Sequence, residues 1–329
     1  MEVKEDLKRL IFSLLGEGDG KQFLRAIGER DKTAFRINPL KVSQKDALSL
    51  LGEEGFKVEP FASIPNAFIA IEEPFPLGKS LSHFIGNIYI QDLSSMLPPL
   101  LLDPEGNELV LDIAAAPGSK TTQMAALMKN KGCIVANEPS ARRVSFLCYN
   151  LGRMGVVNTI VVKEWGNRLG RIYLESFDRV LIDPPCSALG TIRSSPEVTR
   201  WWTLRRSEKL VHIQRDLLIS GIKALKKGGT LVYSTCTIVP QENEGVIAEV
   251  LKRYPVEVEP LCLNGFKTRA GLRSFEGRQF PSELERCLRI YPHENPGEGF
   301  FLAKLRKLDS TCSTPATKDK KKINWETVK

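Results

Sequence analysis

Leu7, Leu10, Ile11, Leu14 and Leu15 recur at helical spacing, and Gly16, Gly18 and Gly20 are expected to end the helix they predict. The period then drops to two. Thr33 to Asn38 alternates like a strand and Pro39 stops it. Gln44 to Leu51 reads as a helix followed by Gly55, and Ala67 to Ile71 as another short strand. This region has too few apolar residues for a large core, so residues 1–85 are predicted to form a small α+β domain. Pro74 to Gly78 reads as a turn or linker. In the stretch 86–97 the first half alternates. The second half starts a helix that Asp92 or Ser94 caps and that Pro98 and Pro99 limit.

From Leu109 strand and helix patterns take turns. Strands fall near 109–114, 133–137, 158–162, 179–183 and 229–234, and helices near 120–129, 140–154, 207–225 and 241–253. That alternation predicts an α/β domain over 86–308, with a mostly parallel sheet and helices on both faces. Cys287 to Tyr291 and Gly299 to Leu305 add two closing strands with no helix between them. Residues 309–329 turn polar and basic and read as a disordered tail. No internal repeat is visible.

Composition narrows the class. The chain has 329 residues, 42% hydrophobic and 26% charged, as in soluble globular proteins. It holds no apolar run of the roughly 18 residues that suggest a membrane span. The charged start, Met1 to Asp6, has no signal-peptide core, so a cytoplasmic protein is expected. A net charge of +8 favours a polyanionic partner. Seven scattered cysteines form no CxxC and no Cys–His cluster of zinc spacing, so neither a metal site nor a disulfide framework is expected. His83, His212 and His293 read as structural or surface residues.

Four places can carry chemistry. The first is Ala114-Ala115-Ala116-Pro117-Gly118-Ser119-Lys120, a turn of small residues between an apolar strand and a helix start. Such a turn lets a ligand approach the backbone and offers it free N–H groups. Gly-Ser-Lys-Thr resembles a phosphate loop, but Ile113 stands where that motif needs a further glycine. The second is Glu138, which ends the second strand and is placed to accept from a ribose diol. It also reads as a helix-cap acid beside Asn137 and Ser140. Arg143, one turn into the next helix, either orients that carboxylate or lies on the surface.

The third is Asp183-Pro184-Pro185-Cys186, just past the fourth strand, with the prolines restricting the backbone. The fourth is Cys236, just past the fifth strand. Ligands of open α/β sheets bind beyond the carboxyl ends of strands, so two cysteines on neighbouring strands can share one cleft. The alternative is two unrelated buried thiols.

At these residues the chain resembles the RNA cytosine-C5 methyltransferases of the Nop/Sun family, most of all their bacterial small-subunit rRNA methyltransferase F group. The likeness runs from Phe35-Arg36-Ile37-Asn38-Pro39-Leu40 to Phe300-Phe301-Leu302-Ala303-Lys304-Leu305. It is strongest at Gln91 to Leu97, Ala114 to Lys120, Asp183 to Ser187 and Ser234 to Thr237. The resemblance implies a Rossmann-like methyltransferase sheet, S-adenosylmethionine as methyl donor and a cytosine in rRNA or tRNA as acceptor, rRNA before tRNA. It implies Cys236 as nucleophile, Cys186 as the second thiol that resolves the adduct, and Asp183 as the acid near the base and the cofactor.

Residues 114–120 match the methionine-side loop, with Lys120 also a candidate for the chemistry, and Glu138 with Arg143 the ribose side. Arg36 and Asn38 match a motif that in the family helps with RNA. Trp165 stands where the family has an Asp facing adenine. Either Trp165 stacks there, or Glu164 or Asn167 substitutes.

The chemistry gives two thiols a purpose. Carbon 5 of cytosine is a weak nucleophile until a thiolate adds to carbon 6. The C5 proton must then leave before the thiol is expelled. Trp201 and Trp202, near Arg200, Arg205 and Arg206, are candidates for the substrate side or for the core. A monomer acting on RNA is expected, with the small domain forming one wall of an RNA cleft. The rival readings are a methyltransferase acting on an exocyclic amine and an RNA-binding factor without turnover.

Overall fold

In the computed structural model, which describes residues 3–29 and 31–311, α1 (Glu5–Arg25) opens the chain. Gly16 leaves helical geometry at φ 75° and ψ 179°, but the helix resumes beyond it. Gly16 therefore ends the first helical segment, as expected, and Gly18 and Gly20 lie inside a second segment that follows it. Phe23, in the second segment, is buried in the same core as Leu7, Leu10 and Ile11, which supplies the packing that holds the continuation. That core is the one under the large sheet.

The small sheet is built from β1 (Ala34–Ile37), β2 (Lys57–Pro60), β3 (Ala67–Glu72) and β4 (Ile88–Ile90), with α2 (Gln44–Glu53) and α3 (Leu81–Phe84) between them. It is antiparallel in the order β2-β3-β1-β4. Phe35, Ile37, Ala47, Leu51, Phe56 and Phe68 fill its core. Ser43 caps α2 by accepting from Asp46 N. β2 is a mostly exposed edge strand, so no buried face marks it in the sequence.

Asp92 Oδ1 accepts from Ser94 N at 2.8 Å and fixes the single 3-10 turn Ser94–Met96. α4 (Leu97–Leu102) follows. Pro98 and Pro99 sit in its first turn, where a missing N–H costs nothing, so they start this helix and do not limit it.

The large domain follows the predicted alternation: β5 (Leu109–Asp112), α5 (Ser119–Leu127), β6 (Cys133–Asn137), α6 (Ala141–Arg153) and β7 (Thr159–Val162). Then come α7 (Gly166–Ile172), β8 (Phe177–Ile182), α8 (Val198–Trp201), α9 (Leu204–Ala224), β9 (Leu225–Thr235) and α10 (Glu244–Leu251). The C-terminal part holds β10 (Val256–Glu259), β11 (Thr268–Ala270), β12 (Ser274–Phe275), β13 (Arg278–Gln279), β14 (Leu288–Ile290) and β15 (Phe300–Lys307).

Nine strands form one sheet in the order β11-β14-β15-β9-β8-β5-β6-β7, with β10 on β15, while β12 and β13 make a separate ribbon. β7, β6, β5, β8 and β9 are parallel, and β15 returns antiparallel against β9. β8 and β9 are neighbours, as expected. The chain steps from β5 to β6 and β7 on one side, then returns to β8 and β9 on the other. The switch in strand order therefore falls between β5 and β8, where open α/β sheets bind ligands. The tail 309–329 lies outside the described residues from 312 onward.

One side chain locks the small sheet to the large one. Arg36, on β1, is buried and donates to Gln91 Oε1 at 2.8 Å, Thr122 Oγ1 at 2.6 Å and Ser119 O at 3.0 Å. Its guanidinium lies over the Tyr89 ring. Burial lowers its pKa to about 10, which leaves it charged at neutral pH. Asn38 is buried too and donates to Gly86 O and Met154 O. Arg36 and Asn38, the pair matching a motif that in the family helps with RNA, are both buried, and the hydrogen bonds they make join the small sheet to the large domain. Arg36→Ala is expected to cost about 2–4 kcal/mol in denaturant unfolding, because charged hydrogen bonds and buried acceptors are lost together. A loss within ordinary surface-mutation scatter, about 0.5 kcal/mol, contradicts the clamp.

Candidate active site

The first βα turn follows β5. Ala115 N donates to Asn137 O at 2.8 Å and Gly118 N to Ala115 O at 2.8 Å, which closes the loop beneath the start of α5. Gly118 has φ 106°, and a Cβ there would stand 3.0 Å from Leu147 Cδ1, so both backbone and space require glycine. Ala115 and Ala116 are buried, Ala114 and Ser119 half-buried and Pro117 exposed. Asp112, at the end of β5, accepts from Thr121 Oγ1 at 2.7 Å. Burial lifts its pKa to about 6.

At the end of β6, Glu138 is 1% exposed. Its Oε1 accepts from Ser140 N at 2.9 Å. Arg143 Nη1 stands 2.9 Å from Oε2, and Arg143 Nη2 donates to Ala116 O at 2.5 Å. Oε2 is enclosed, paired in charge with Arg143 and without a hydrogen bond of its own. Arg143 thus bridges the carboxylate and the small-residue loop. Asn137 links the strand ends by donating to Ile113 O and accepting from Glu164 N, both at 3.0 Å. Trp165 caps α7 and is 64% exposed on the rim, while Glu164 Oε1 accepts from its N–H.

Asp183 follows β8. Its Oδ2 lies 2.6 Å from Lys120 Nζ and its Oδ1 accepts from Ser234 Oγ at 3.0 Å. Lys120 Nζ also donates to Ser95 Oγ at 2.9 Å. Burial works to lower the Lys120 pKa, but Asp183 outweighs it and the ammonium ends above its ordinary value.

Beside this pair the Cys186 and Cys236 sulfurs stand 3.3 Å apart, both side chains half-buried. The Cys186 thiol, then burial and nearby carboxylates, push Cys236 well above the usual thiol range. Ser187 Oγ meets Thr237 Oγ1 at 2.7 Å and so ties the two cysteine loops together. Beneath them Glu242 accepts from Ser187 N, Gln214 Nε2 and Ser207 Oγ.

The structure thus brings Lys120, Asp183, Cys186 and Cys236 into one cluster, with Glu138, Arg143 and the small-residue loop along the neighbouring strand ends. Trp202 is buried in the core, and half-buried Trp201 stacks with Arg206 at 4.3 Å. Residues to which the sequence reading gave no part in the site include Ser95, Ser234, Asp92 and Glu298. The Gln-Asp-Leu-Ser-Ser run flagged Ser95 and Asp92 as a motif but gave no sign of where they point. A charged cavity of about 430 Å³ lies at the opposite end of the strands, lined by Glu108, Asp178, Arg179 and Lys226, far from the sulfurs. Among the described residues no His, Cys, Asp and Glu cluster suits a metal ion, and no helix is long and apolar enough to cross a membrane.

A parallel sheet closed by antiparallel strands, with a small-residue turn and strand-end carboxylates at its switch point, is the architecture of Rossmann-like methyltransferases. A crystal structure of a methyltransferase homologue from Pyrococcus horikoshii superposes with a TM-score of 0.83 at 35% identity, over 93% of this chain and 95% of that one. The chain belongs to the 16S rRNA methyltransferase RsmB/F family, whose model matches residues 99–306. The N-terminal domain of 16S rRNA methyltransferase RsmF matches residues 5–93.

Among curated relatives, a tRNA (cytosine(49)-C(5))-methyltransferase from Pyrococcus abyssi is 38% identical over 93% of this chain and 99% of that protein. Ribosomal RNA small subunit methyltransferase F from Shewanella loihica is 38% identical over 87% of this chain, which spans only 59% of that protein.

The sulfur contact has a direct consequence. Cys236 alkylation by iodoacetamide, followed by peptide mass mapping, is expected to be slow near neutral pH and to rise with pH beyond the ordinary thiol range. Cys186→Ala removes the main cause of the raised pKa, so Cys236 labelling at pH 8 is expected to quicken several-fold. Unchanged labelling shows that the two thiols titrate independently.

Proposed function

We propose that this protein methylates carbon 5 of a cytosine in structured RNA, with S-adenosylmethionine as donor. The observation that carries the reading is the 3.3 Å approach of the Cys186 and Cys236 sulfurs at the ends of adjacent strands, next to the Lys120–Asp183 pair. One thiol adds to the base while the second stands within reach of the same ring, which suits an addition–elimination route.

The residues present fit an adenosyl donor. The small side chains of 114–118 leave the backbone open, and Ser119 and Lys120 lie at the helix start. Glu138 Oε2 keeps an unused acceptor for a ribose hydroxyl, with Arg143 orienting it. Trp165 offers an exposed ring on the adenine side in place of a carboxylate. Bound there, the donor supplies an electrophilic sulfonium methyl group.

Cys236 gives up its proton to solvent and its sulfur bonds to carbon 6 as the C5–C6 double bond opens. Negative charge then builds toward N3, where the Lys120–Asp183 pair stabilises it. Asp183 favours the ammonium of Lys120, and the two together act as the acid of the site. After methylation Cys186 assists loss of the C5 proton, carbon 5 and carbon 6 regain their double bond, and Cys236 leaves. The target base must be unstacked to reach the sulfurs. The net charge of +8 supplies general attraction to RNA.

The names of the relatives support both small-subunit rRNA and tRNA as substrate classes, and the test carries an arm for each. An exocyclic-amine methyltransferase has no use for paired thiols, and a binding factor has no use for the intact cluster. Incubation of transcribed small-subunit rRNA and tRNA with labelled donor, followed by digestion to nucleosides, is expected to yield labelled 5-methylcytidine. Cys236→Ala is expected to abolish it. Cys186→Ala is expected to accumulate a protein–RNA adduct that survives denaturation. Full turnover by both variants overturns the two-thiol route.

A further inference from the structure

Beside the cysteines lies a carboxylate that the reaction as described leaves unused. Gly190 N donates to Cys236 O and Gly299 N donates to Gly190 O, both at 2.9 Å, so a short backbone ladder runs from the nucleophile to the turn before β15. The approach is so close that a Cβ on Gly190 would meet Gly299 O at 2.0 Å. Glu298 is the residue just before that ladder's last rung.

Its placement is over-determined. Asp92 Oδ2 accepts from Glu298 N at 3.1 Å, and Ser94 Oγ donates to Glu298 O at 2.7 Å. Gly297, at φ 91°, packs against the same Asp92 carboxylate, where a Cβ would stand 2.7 Å from Oδ2. Ser194 Oγ donates to Glu298 Oε1 at 2.6 Å and orients the side chain. Oε2 takes none of the hydrogen bonds found among the described residues. The carboxylate also shares its electrostatic surroundings with Lys120, Asp183 and Cys236.

A cytosine poised over Cys236 brings two polar features to this wall, the N3 acceptor and the N4 amino donor. Both Asp183 oxygens are engaged, one by Lys120 and one by Ser234. Glu298 Oε2, which holds no such donor, is the freer acceptor for the amine on this wall. We propose that Glu298, through its open Oε2, accepts a hydrogen bond from the exocyclic amine of the target cytosine and thereby selects cytosine over uracil. Uracil presents a carbonyl oxygen at that place and meets the carboxylate as acceptor against acceptor, which excludes it. Asp92 is a positioning residue that holds the Glu298 backbone. Burial raises the Glu298 pKa, so its accepting form is favoured as pH rises.

This inference rests on the proposed cytosine chemistry, and one experiment separates the two. RNA carrying either cytidine or a 2-pyrimidinone nucleoside, which lacks the amino group, at the methylated position is compared on wild type and Glu298→Gln. The variant is expected to lose about 10- to 100-fold in kcat/KM on cytidine, the scale of one good base contact, and to stay within about twofold on 2-pyrimidinone. An equal fall on both RNAs, or no fall on cytidine, overturns the role of Glu298 alone. Absence of 5-methylcytidine with wild type on both rRNA and tRNA overturns the parent reading and this one with it. Should Glu298→Gln fold poorly by thermal melting, Ser194→Ala frees Oε1 only. It is expected to give a smaller loss in the same direction, and an equal fall on both RNAs there also refutes the assignment.

Discussion

The contact between Lys120 and Asp183 governs the geometry of this site. It joins the first turn of α5 to the end of β8 across the point where the strand order reverses. Both groups are largely withdrawn from water, the Lys120 side chain 9% exposed and that of Asp183 29%. Desolvation makes such a pair a poor source of net stability, yet the loss of one partner strands the other uncompensated, at about 3–5 kcal/mol for a fully buried pair. The remaining polar atoms are satisfied by Ser95 and Ser234, and Phe300 closes over the ammonium at 5.7 Å. Five segments far apart in sequence thus converge on one charge pair.

Beneath that pair, the loops after β8 and β9 rest on a fully enclosed polar layer. Glu242 accepts from three donors, and Tyr233 Oη donates to its backbone oxygen at 2.8 Å. Thr235 Oγ1 donates to Asn243 Oδ1 at 2.6 Å. Burial raises the Glu242 pKa, but its donors work against that and favour the charged form. Farther along, Arg289 and Glu244 form a wholly buried ion pair that anchors β14 to α10. Such layers cost desolvation and return rigidity, since each donor has one well-placed acceptor. In the proposed route one sulfur bonds carbon 6 and the other serves carbon 5 of the same ring, so a fixed separation matters more than added stability.

How far the chain could be read in advance follows from which forces leave a local trace. The alternation from Leu109 to Ser234 exposed the parallel sheet, because each buried strand there is a compact apolar run. The two cysteines were placed together by strand order alone. The edge strand β2 left no trace, since its side chains are mostly solvated and only backbone pairing defines it, and β11 is only three residues long. Gly18 and Gly20 misled because a second helical segment, held by the burial of Phe23, runs past them, and Pro98–Pro99 misled because proline suits a helix's first turn as well as its end. At Arg36 the sequence carried a motif but no direction, and only burial shows that its side chain serves the interior. Glu298 was invisible because its meaning comes from β15 lying against β9, a contact between residues far apart in the chain.

The elevated pKa of Cys236 first looks at odds with a nucleophile. In a free thiol the reactive fraction falls as pKa rises, but the intrinsic strength of the thiolate rises with it. An enzyme that generates the thiolate only when a base is in place therefore gains on both counts: the resting thiol is quiet, and the sulfur that attacks is strongly basic. The surroundings match that division. Cys186, burial and the nearby carboxylates favour the protonated form of Cys236, whereas in the proposed route Lys120 stabilises charge once it has moved into the ring. The same carboxylates that disfavour a bare thiolate favour a base that gathers positive hydrogen-bond donors as it is attacked. Suppression of the free nucleophile and recognition of its target are then two effects of a single arrangement of charge.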